Sequence, residues 1–308
     1  MRRYRTPLAD NARWDGFAFR DGDIVISTPP KSGTTWMQMI CVLLVFRCPK
    51  LDRPLDELSP WFDALTLPRE SVVATLEAQQ HRRIIKSHTP LDGLPFDTRV
   101  TYVCVARDPR DVCFSLSNHL ANVDVGAVRR AQEDAGLDAA GAASELAESA
   151  TEAADKRDWF RHWIEDPTPV TDAPPSLRTT LLHFGTFWDK RELPNVILVH
   201  YDDLKADLPA EMRRLARQLG IDVPESAWPS LERAATFESM RADADRLVPD
   251  FGRAIFQDRR RFFNCGGSGQ WAGTLDDADL REYEAQVTDL ASPDLLEWVH
   301  HQQPVGLP

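Results

Sequence analysis

The chain has 308 residues, and 43% of them are hydrophobic, enough for a sizeable core and too many for a disordered polymer. Lys and Arg total 36 against 48 Asp and Glu, a net charge of -12. That balance argues against a surface that grips nucleic acid or anionic lipid as a whole, and leaves room for a small basic site.

The N-terminal stretch Met1 to Trp14 carries charge and no apolar core of a secretory signal. The first strand expected is Asp23 to Ser27, a short β-branched run. It leads into Thr28-Pro29-Pro30-Lys31-Ser32-Gly33-Thr34-Thr35, then into an apolar segment from Trp36 to Phe46. There Trp36, Met39, Ile40, Leu43 and Leu44 recur at helical spacing. Cys41, Val42 and Val45 make the other face apolar as well, so the helix is expected to be buried on most sides. The longest unbroken apolar run, Met39 to Phe46, is eight residues. A membrane span needs about twenty, so a soluble cytoplasmic protein is expected.

Further strands are expected at Arg83 to Lys86, Val100 to Ala106 and Val196 to Val199, the second with the continuous apolar pattern of a central parallel strand. Helical patterns alternate with them. One starts near Pro109, and another runs from Glu211 to Leu219 with Gly220 as its stop. Leu275 to His301 is helical and acidic, with Thr274 ahead of Asp276 and Asp277 as a start signature. The alternation indicates an α/β fold with a mostly parallel sheet. Ala121 to Arg157 is rich in Ala, Glu and Asp; it reads as a weakly packed, solvated helical insertion or a mobile lid. Asp166 to Ser176 holds four Pro and reads as a linker.

The five Cys are irregularly spaced and form no CxxC pair, which argues against structural zinc; Cys41 and Cys104 read as core thiols. No carboxylate trio with metal spacing surrounds the loop at residues 28–35, so no metal is expected.

That loop is the most informative feature. It sits between a strand and a helix, where unpaired backbone N–H groups and the helix dipole favour an anion. Gly33 admits close approach, Lys31 adds a point charge, and Ser32, Thr34 and Thr35 add hydroxyls. The alternative is an ordinary turn rich in small residues. A Walker A order, G-x-x-x-x-G-K-[ST], occurs nowhere in the chain. Arg107 follows directly on the strand ending at Ala106, and Ser115 lies eight residues on. Ligands of open α/β sheets bind beyond the carboxyl ends of strands. Lys31, His88 and Arg107 all stand at such ends. An Arg there can clamp a phosphate, or it can pair with Asp108 or Asp111 on the surface. His88 suits a general base, or it caps a strand end as a structural residue.

Taken together these residues resemble the cytosolic, PAPS-dependent sulfotransferase family. Pro30 to Trp36 is similar to the family's 5′-phosphosulfate loop. Lys86-Ser87-His88-Thr89-Pro90-Leu91 is similar to its Lys-Thr-His passage. Arg107 to Ser115 matches its 3′-phosphate motif, and Val196 to Lys205 resembles its strand followed by Tyr-Glu-Asp-Leu-Lys. The resemblance implies one sulfotransferase domain over 1–308, with a P-loop-like three-layer sandwich and a helical or flexible insertion over 121–176. It implies 3′-phosphoadenosine 5′-phosphosulfate, PAPS, as co-substrate and sulfuryl transfer to a hydroxyl or amine of a small organic, phenolic or glycolipid acceptor. Lys31, Ser32, Gly33, Thr34 and Thr35 are then expected to hold the 5′-phosphate, Trp36 to stack on adenine, Arg107 and Ser115 to hold the 3′-phosphate, and Thr236, Phe237 and Gly266 to touch the nucleotide. His88, Lys31 and Lys86 are the expected catalytic set.

The family's Arg-Lys-Gly-x-x-Gly-x-Trp run is Asn264-Cys265-Gly266-Gly267-Ser268-Gly269-Gln270-Trp271 here, with both basic residues missing; Arg259, Arg260 and Arg261 lie just upstream as candidate substitutes. The family's Tyr two residues before His183 is Leu181. Of Trp61, Phe62, Trp159, Phe160, Trp163, Phe187 and Trp188, two or three are expected to line the acceptor pocket and the rest to be core. The remaining histidines, His119, His162, His300 and His301, read as solvated or partly buried. The other readings of the pattern are a nucleotide-binding protein without transferase activity and a P-loop small-molecule kinase. No nucleic-acid partner is expected, and the oligomeric state stays open.

Overall fold

The computed structural model describes residues 1–137, 155–249, 255–264 and 266–301. Its centre is a parallel sheet of β1 (Ile24–Ser27), β2 (Ile84–Ser87), β3 (Thr101–Ala106) and β4 (Val196–His200), in the order β2-β1-β3-β4. Ile26 pairs with Lys86 on one side and with Val103 on the other. Ala106 pairs with His200. The residues that follow β1, β2 and β3 are therefore brought to one rim.

Strand residues alternate between two cores, as the period of two requires. Ile24, Ile26, Val103 and Val105 face α1 (Thr34–Phe46). Val25, Ile85, Tyr102 and Cys104 face the opposite layer. That layer includes α3 (Pro109–Leu120), α5 (Lys156–Glu165), α6 (Leu177–Trp188), α8 (Asp277–Leu290) and α9 (Pro293–Val299). Between these lie α2 (Arg69–Ala78), α4 (Val125–Asp134) and α7 (Leu208–Gln218). This is the three-layer α/β sandwich expected. α1 is buried from Met37 to Leu44 without a break, because apolar residues circle it.

Some expectations need correction. β1 and β3 each start one residue later than expected, β2 is shifted by one residue, β4 runs on to His200, and α7 begins at Leu208 because Asp207 caps it. The C-terminal helix starts at Asp277 with Asp276, not Thr274, as its cap. Asp276 and Asp279 form a reciprocal capping box that Thr274 is too far away to make. The first part of the Ala-rich segment is not weakly packed. Ala127, Val128, Ala131 and Gln132 on α4 are buried, and Gln132 Nε2 donates to Pro7 O at 2.6 Å. Small side chains let α4 approach closely rather than leaving it solvated. Residues 138–154 of that segment lie outside the described residues. His300 is also buried, donating to or accepting from Tyr283 Oη at 2.9 Å. No helix among the described residues is long and apolar enough to cross a membrane.

Candidate active site

Above the rim lies a cavity of about 930 Å³. It is lined by Lys31, Gly33, Thr34, Thr35 and Trp36 from the first loop and α1, and by Lys86 and His88 from the end of β2. Arg107 comes from the end of β3, Ser115 from α3, and Phe237 and Gly266 from the C-terminal third. Eleven of the thirteen residues singled out from sequence thus meet at one cavity. Ser32 and Thr236 are not part of its wall. The Thr236 hydroxyl caps the short helix Phe237–Ala242, accepting from Ser239 N and donating to Arg233 O.

The loop geometry explains why these residues sit there. Gly33 is the N-cap of α1 at φ 113 and supplies no side-chain acceptor. The N–H groups of the first turn are left for another partner. A Cβ at Gly33 would stand 3.1 Å from Tyr201 and 3.3 Å from Val105, so the position admits no side chain without a shift. Lys31 adopts φ 69, which turns the chain from β1 into α1. Thr34 Oγ1 meets Thr28 Oγ1 at 2.5 Å.

His88 has a defined tautomer. Its Nδ1 lies 2.7 Å from Thr28 O, an acceptor, so Nδ1 carries the hydrogen and Nε2 keeps its lone pair. Burial, then the charge of Lys86, holds the imidazole well below its ordinary pKa. The ring is therefore neutral near pH 7 and able to accept a proton. Lys86 stands 4.5 Å over the Trp61 ring, and His88 is edge-on to the same ring at 4.9 Å. Trp61 is anchored in turn by Asp63. The fully buried Asp63 carboxylate accepts from Trp61 Nε1 at 2.5 Å, Ser87 Oγ at 2.5 Å, Thr89 Oγ1 at 2.6 Å and Trp14 Nε1 at 3.2 Å. One carboxylate thus fixes both residues that flank His88.

The ammonium groups are dehydrated. Burial, then Arg107 and Lys86, pushes Lys31 down to about 7. Burial pushes Lys86 down to about 8, against the opposing pull of Asp63. A dianion in the cavity would reverse both shifts.

Arg107 is 4% exposed and lies 4.4 Å over the Tyr201 ring. It donates to Lys31 O at 3.1 Å and to Gly267 O at 2.7 Å. Its Nε, like Ser32 Oγ, is buried without a hydrogen-bond partner among the described residues. The loop it touches, residues 266–270, is pinned from below. Asp111 accepts from Gly269 N at 2.8 Å and from Gln270 N at 2.7 Å, and Tyr201 Oη donates to Gly266 O at 3.1 Å. Gly266 sits at φ 61, where a Cβ would fall 2.7 Å from the Phe237 ring. The loop is thus built to approach Phe237 with bare backbone.

The chain matches the model of the sulfotransferase domain over residues 21–292. The chain belongs to the sulfotransferase family. It is 43% identical over 308 residues to a glycolipid sulfotransferase of Mycobacterium bovis, with 96% of this chain and 93% of that protein aligned. Two solved structures share the fold. One is a retinol dehydratase in complex with androsterone and the inactive cofactor PAP (TM-score 0.65, 20% identity, 92% of this chain and 86% of that one). The other is mouse sulfotransferase SULT7A1 complexed with PAP (TM-score 0.64, 20% identity, 94% and 93%). The chain is a sulfuryl-transfer enzyme, and the kinase and binding-protein readings of its loop are set aside.

The remaining sequence expectations sort by position. Trp61, Trp159 and Trp163 of this sulfotransferase line the cavity, while Phe62, Phe160 and Phe187 are buried in the core and Trp188 stacks on Trp298. Asn264 lines the cavity where the family carries Arg; Cys265 lies outside the described residues. Arg259, Arg260 and Arg261 do not line it: Arg259 donates to Asp245 O, and the other two are exposed. Leu181 is buried in the core. The linker expected at 166–176 instead supplies cavity wall, with Asp166, Val170 and Pro174 among the lining.

Sequence reasoning reads His119 as solvated or partly buried and assigns it no place in the site, although it is partly buried there. His119 lines the cavity, with Nδ1 3.4 Å from Lys31 Nζ. Its place four residues beyond Ser115 on α3, one turn further on the same face, was the available signal. His200, Asp202 and His301 also come together, but outside the cavity wall. There His200 Nδ1 accepts from Asp202 N, and His301 pairs with Asp203.

Proposed function

We propose that this enzyme transfers a sulfuryl group from PAPS to a hydroxyl of a lipid-like acceptor of the glycolipid class. The observation that carries the reading is the convergence of Lys31, Lys86, His88, Arg107 and Ser115 on one cavity from three strand ends and α3. The acceptor O–H gives its proton to His88 Nε2. Its oxygen forms the new bond to sulfur as the bond from sulfur to the 5′-phosphate oxygen breaks. The phosphate oxygen takes up negative charge, which Lys31 neutralises, and Lys86 faces the transferring group. Positioning and charge stabilisation of this kind supply most of such a rate enhancement.

Arg107 Nε, a buried donor at the cavity wall without a partner among the described residues, fits a phosphate-bearing ligand. Arg107 and Ser115 hold the 3′-phosphate, the first-turn N–H groups with Thr34 and Thr35 hold the 5′-phosphate, and Trp36, Phe237 and Gly266 enclose the base. The glycolipid class is supported by the mycobacterial relative's name and by the rest of the cavity wall, where Leu8, Val128 and Phe256 offer apolar surface and Trp159, Glu165 and Asp172 offer aromatic and hydrogen-bonding surface.

Isothermal titration with 3′-phosphoadenosine 5′-phosphate (PAP) and with 5′-AMP tests the nucleotide assignment. PAP is expected to bind at least about tenfold more tightly, because a charge-assisted pair to the 3′-phosphate is worth about 1.5–3 kcal/mol. Equal affinity would remove Arg107 and Ser115 from their assigned role.

A further inference from the structure

Two imidazoles, not one, face Lys31. His88 presents a lone pair at Nε2, because its Nδ1–H is spent on Thr28 O. His119 is arranged the other way. As an ammonium Lys31 can only donate, so in that state its Nζ contact with His119 Nδ1 requires the lone pair at Nδ1 and the hydrogen at Nε2. The ring is held by its surroundings. It lies 5.2 Å from Phe256 and 5.6 Å, nearly edge-on, from Phe262. Phe262 also carries the Lys31 ammonium over its face at 4.4 Å. Lys31, Phe262 and His119 therefore form one packed unit beside the loop.

We propose that His119 is a positioning residue for sulfuryl transfer: its Nδ1 lone pair holds the Lys31 side chain as an ammonium aimed into the cavity. The role rests on the reading that Lys31 neutralises the departing phosphate oxygen. The need for such a partner is physical. Lys31 has lost hydration, and the charges acting on it, Arg107 from the end of β3 and Lys86 from the end of β2, are both cationic. His88, the other titratable group facing it, has its Nδ1 side engaged and is neutral. His119 is neutral as well, since burial and then Lys31 hold it well below its ordinary pKa. A neutral imidazole is the acceptor that favours the charged lysine without competing for the phosphate as a carboxylate would.

The test is the pH profile of kcat for the wild type, His119→Phe and His119→Gln, with thermal midpoints and PAP affinity measured alongside. Lys31 acts as an ammonium, so kcat falls as pH rises through its pKa in the complex. Phe keeps the ring volume and removes the acceptor. The alkaline limb in His119→Phe is expected to move to lower pH by about one unit, the equivalent of a tenfold weaker hold on the proton. Turnover at pH values above both limbs should fall about tenfold, with the midpoint and the PAP affinity at about pH 6 little changed. Gln offers a side-chain carbonyl and is expected to return the limb toward the wild-type position. A wild-type profile in His119→Phe would overturn the proposal. So would lost turnover with an unmoved limb, or equal damage in both variants with a lowered midpoint, since each describes a packing role. Lys31→Met separates the two readings. If it is inactive while His119→Phe is normal, only the positioning role falls. If Lys31→Met turns over normally, the assignment of Lys31 falls and the proposal with it.

Discussion

His88 and Lys31 solve opposite problems with the same means. Dehydration destabilises the charged form of each, which leaves His88 a free base and brings Lys31 to about 7, within reach of a ligand's field. Replacing His88 with Ala removes the proposed proton acceptor and leaves the groups assigned to the phosphates in place. Turnover is expected to fall by ~10²–10⁴-fold, with PAP affinity nearly unchanged, as paired kinetics and titration would read. Wild-type-like turnover would reassign the base. His88, Lys31 and Arg107 were legible in the sequence because each follows its own strand within a few residues. His119 and Asp63 were not. His119 looks like any polar residue on an amphipathic helix until α3 is placed beside the first loop. Asp63 gains its role only when Trp14, Trp61, Ser87 and Thr89 converge on it from separate segments. Meetings of that kind depend on the tertiary fold, and no local spacing encodes them.

At the level of elements, the sequence conveyed the strand–loop–helix units because their apolar runs are continuous and their ends carry punctuation. It misjudged the segments whose packing depends on small or irregular residues. α4 reads as solvated because Ala contributes little to a hydrophobic pattern, although Ala127 and Ala131 are buried. The Pro-rich run at 166–176 reads as a linker because Pro excludes regular structure, while saying nothing of what it lies against. The loop at 266–270 is a third such segment, and its position depends on Asp111 rather than on its own sequence. Burial raises the Asp111 carboxyl against the opposing field of Arg107, and the two backbone N–H bonds from Gly269 and Gln270 keep it useful as an acceptor. Asp111→Ala frees both N–H groups, at a cost of about 1–3 kcal/mol for each one left unsatisfied. Gly267 O, the partner of Arg107 Nη2, is then no longer fixed. PAP affinity is expected to drop at least about tenfold while 5′-AMP affinity changes less. An equal loss for both ligands would show that the loop serves the whole nucleotide, not its 3′ end.

Over the whole molecule, a chain of net charge -12 concentrates Lys31, Lys86 and Arg107 at one rim of its sheet. Such a cluster makes folding and binding both depend on pH. The unfolded chain has ordinary lysines near 10.5, whereas the folded one holds Lys31 at about 7 and Lys86 at about 8. Between those values the unfolded state binds more protons, so the ligand-free protein gains stability as pH rises through that window. A bound phosphate dianion acts in the opposite sense, because it favours the ammonium forms and lifts both pKa values. PAP binding at pH 8 is therefore expected to take up protons, and its affinity to fall as pH rises from 7 to 9. Titration at pH 8 in two buffers of different ionisation heat reads this directly: the apparent enthalpies should differ in proportion to the protons absorbed. Identical enthalpies in the two buffers would mean that Lys31 and Lys86 are already fully protonated in the free protein. The cavity would then be far better hydrated than its apolar and aromatic walls imply.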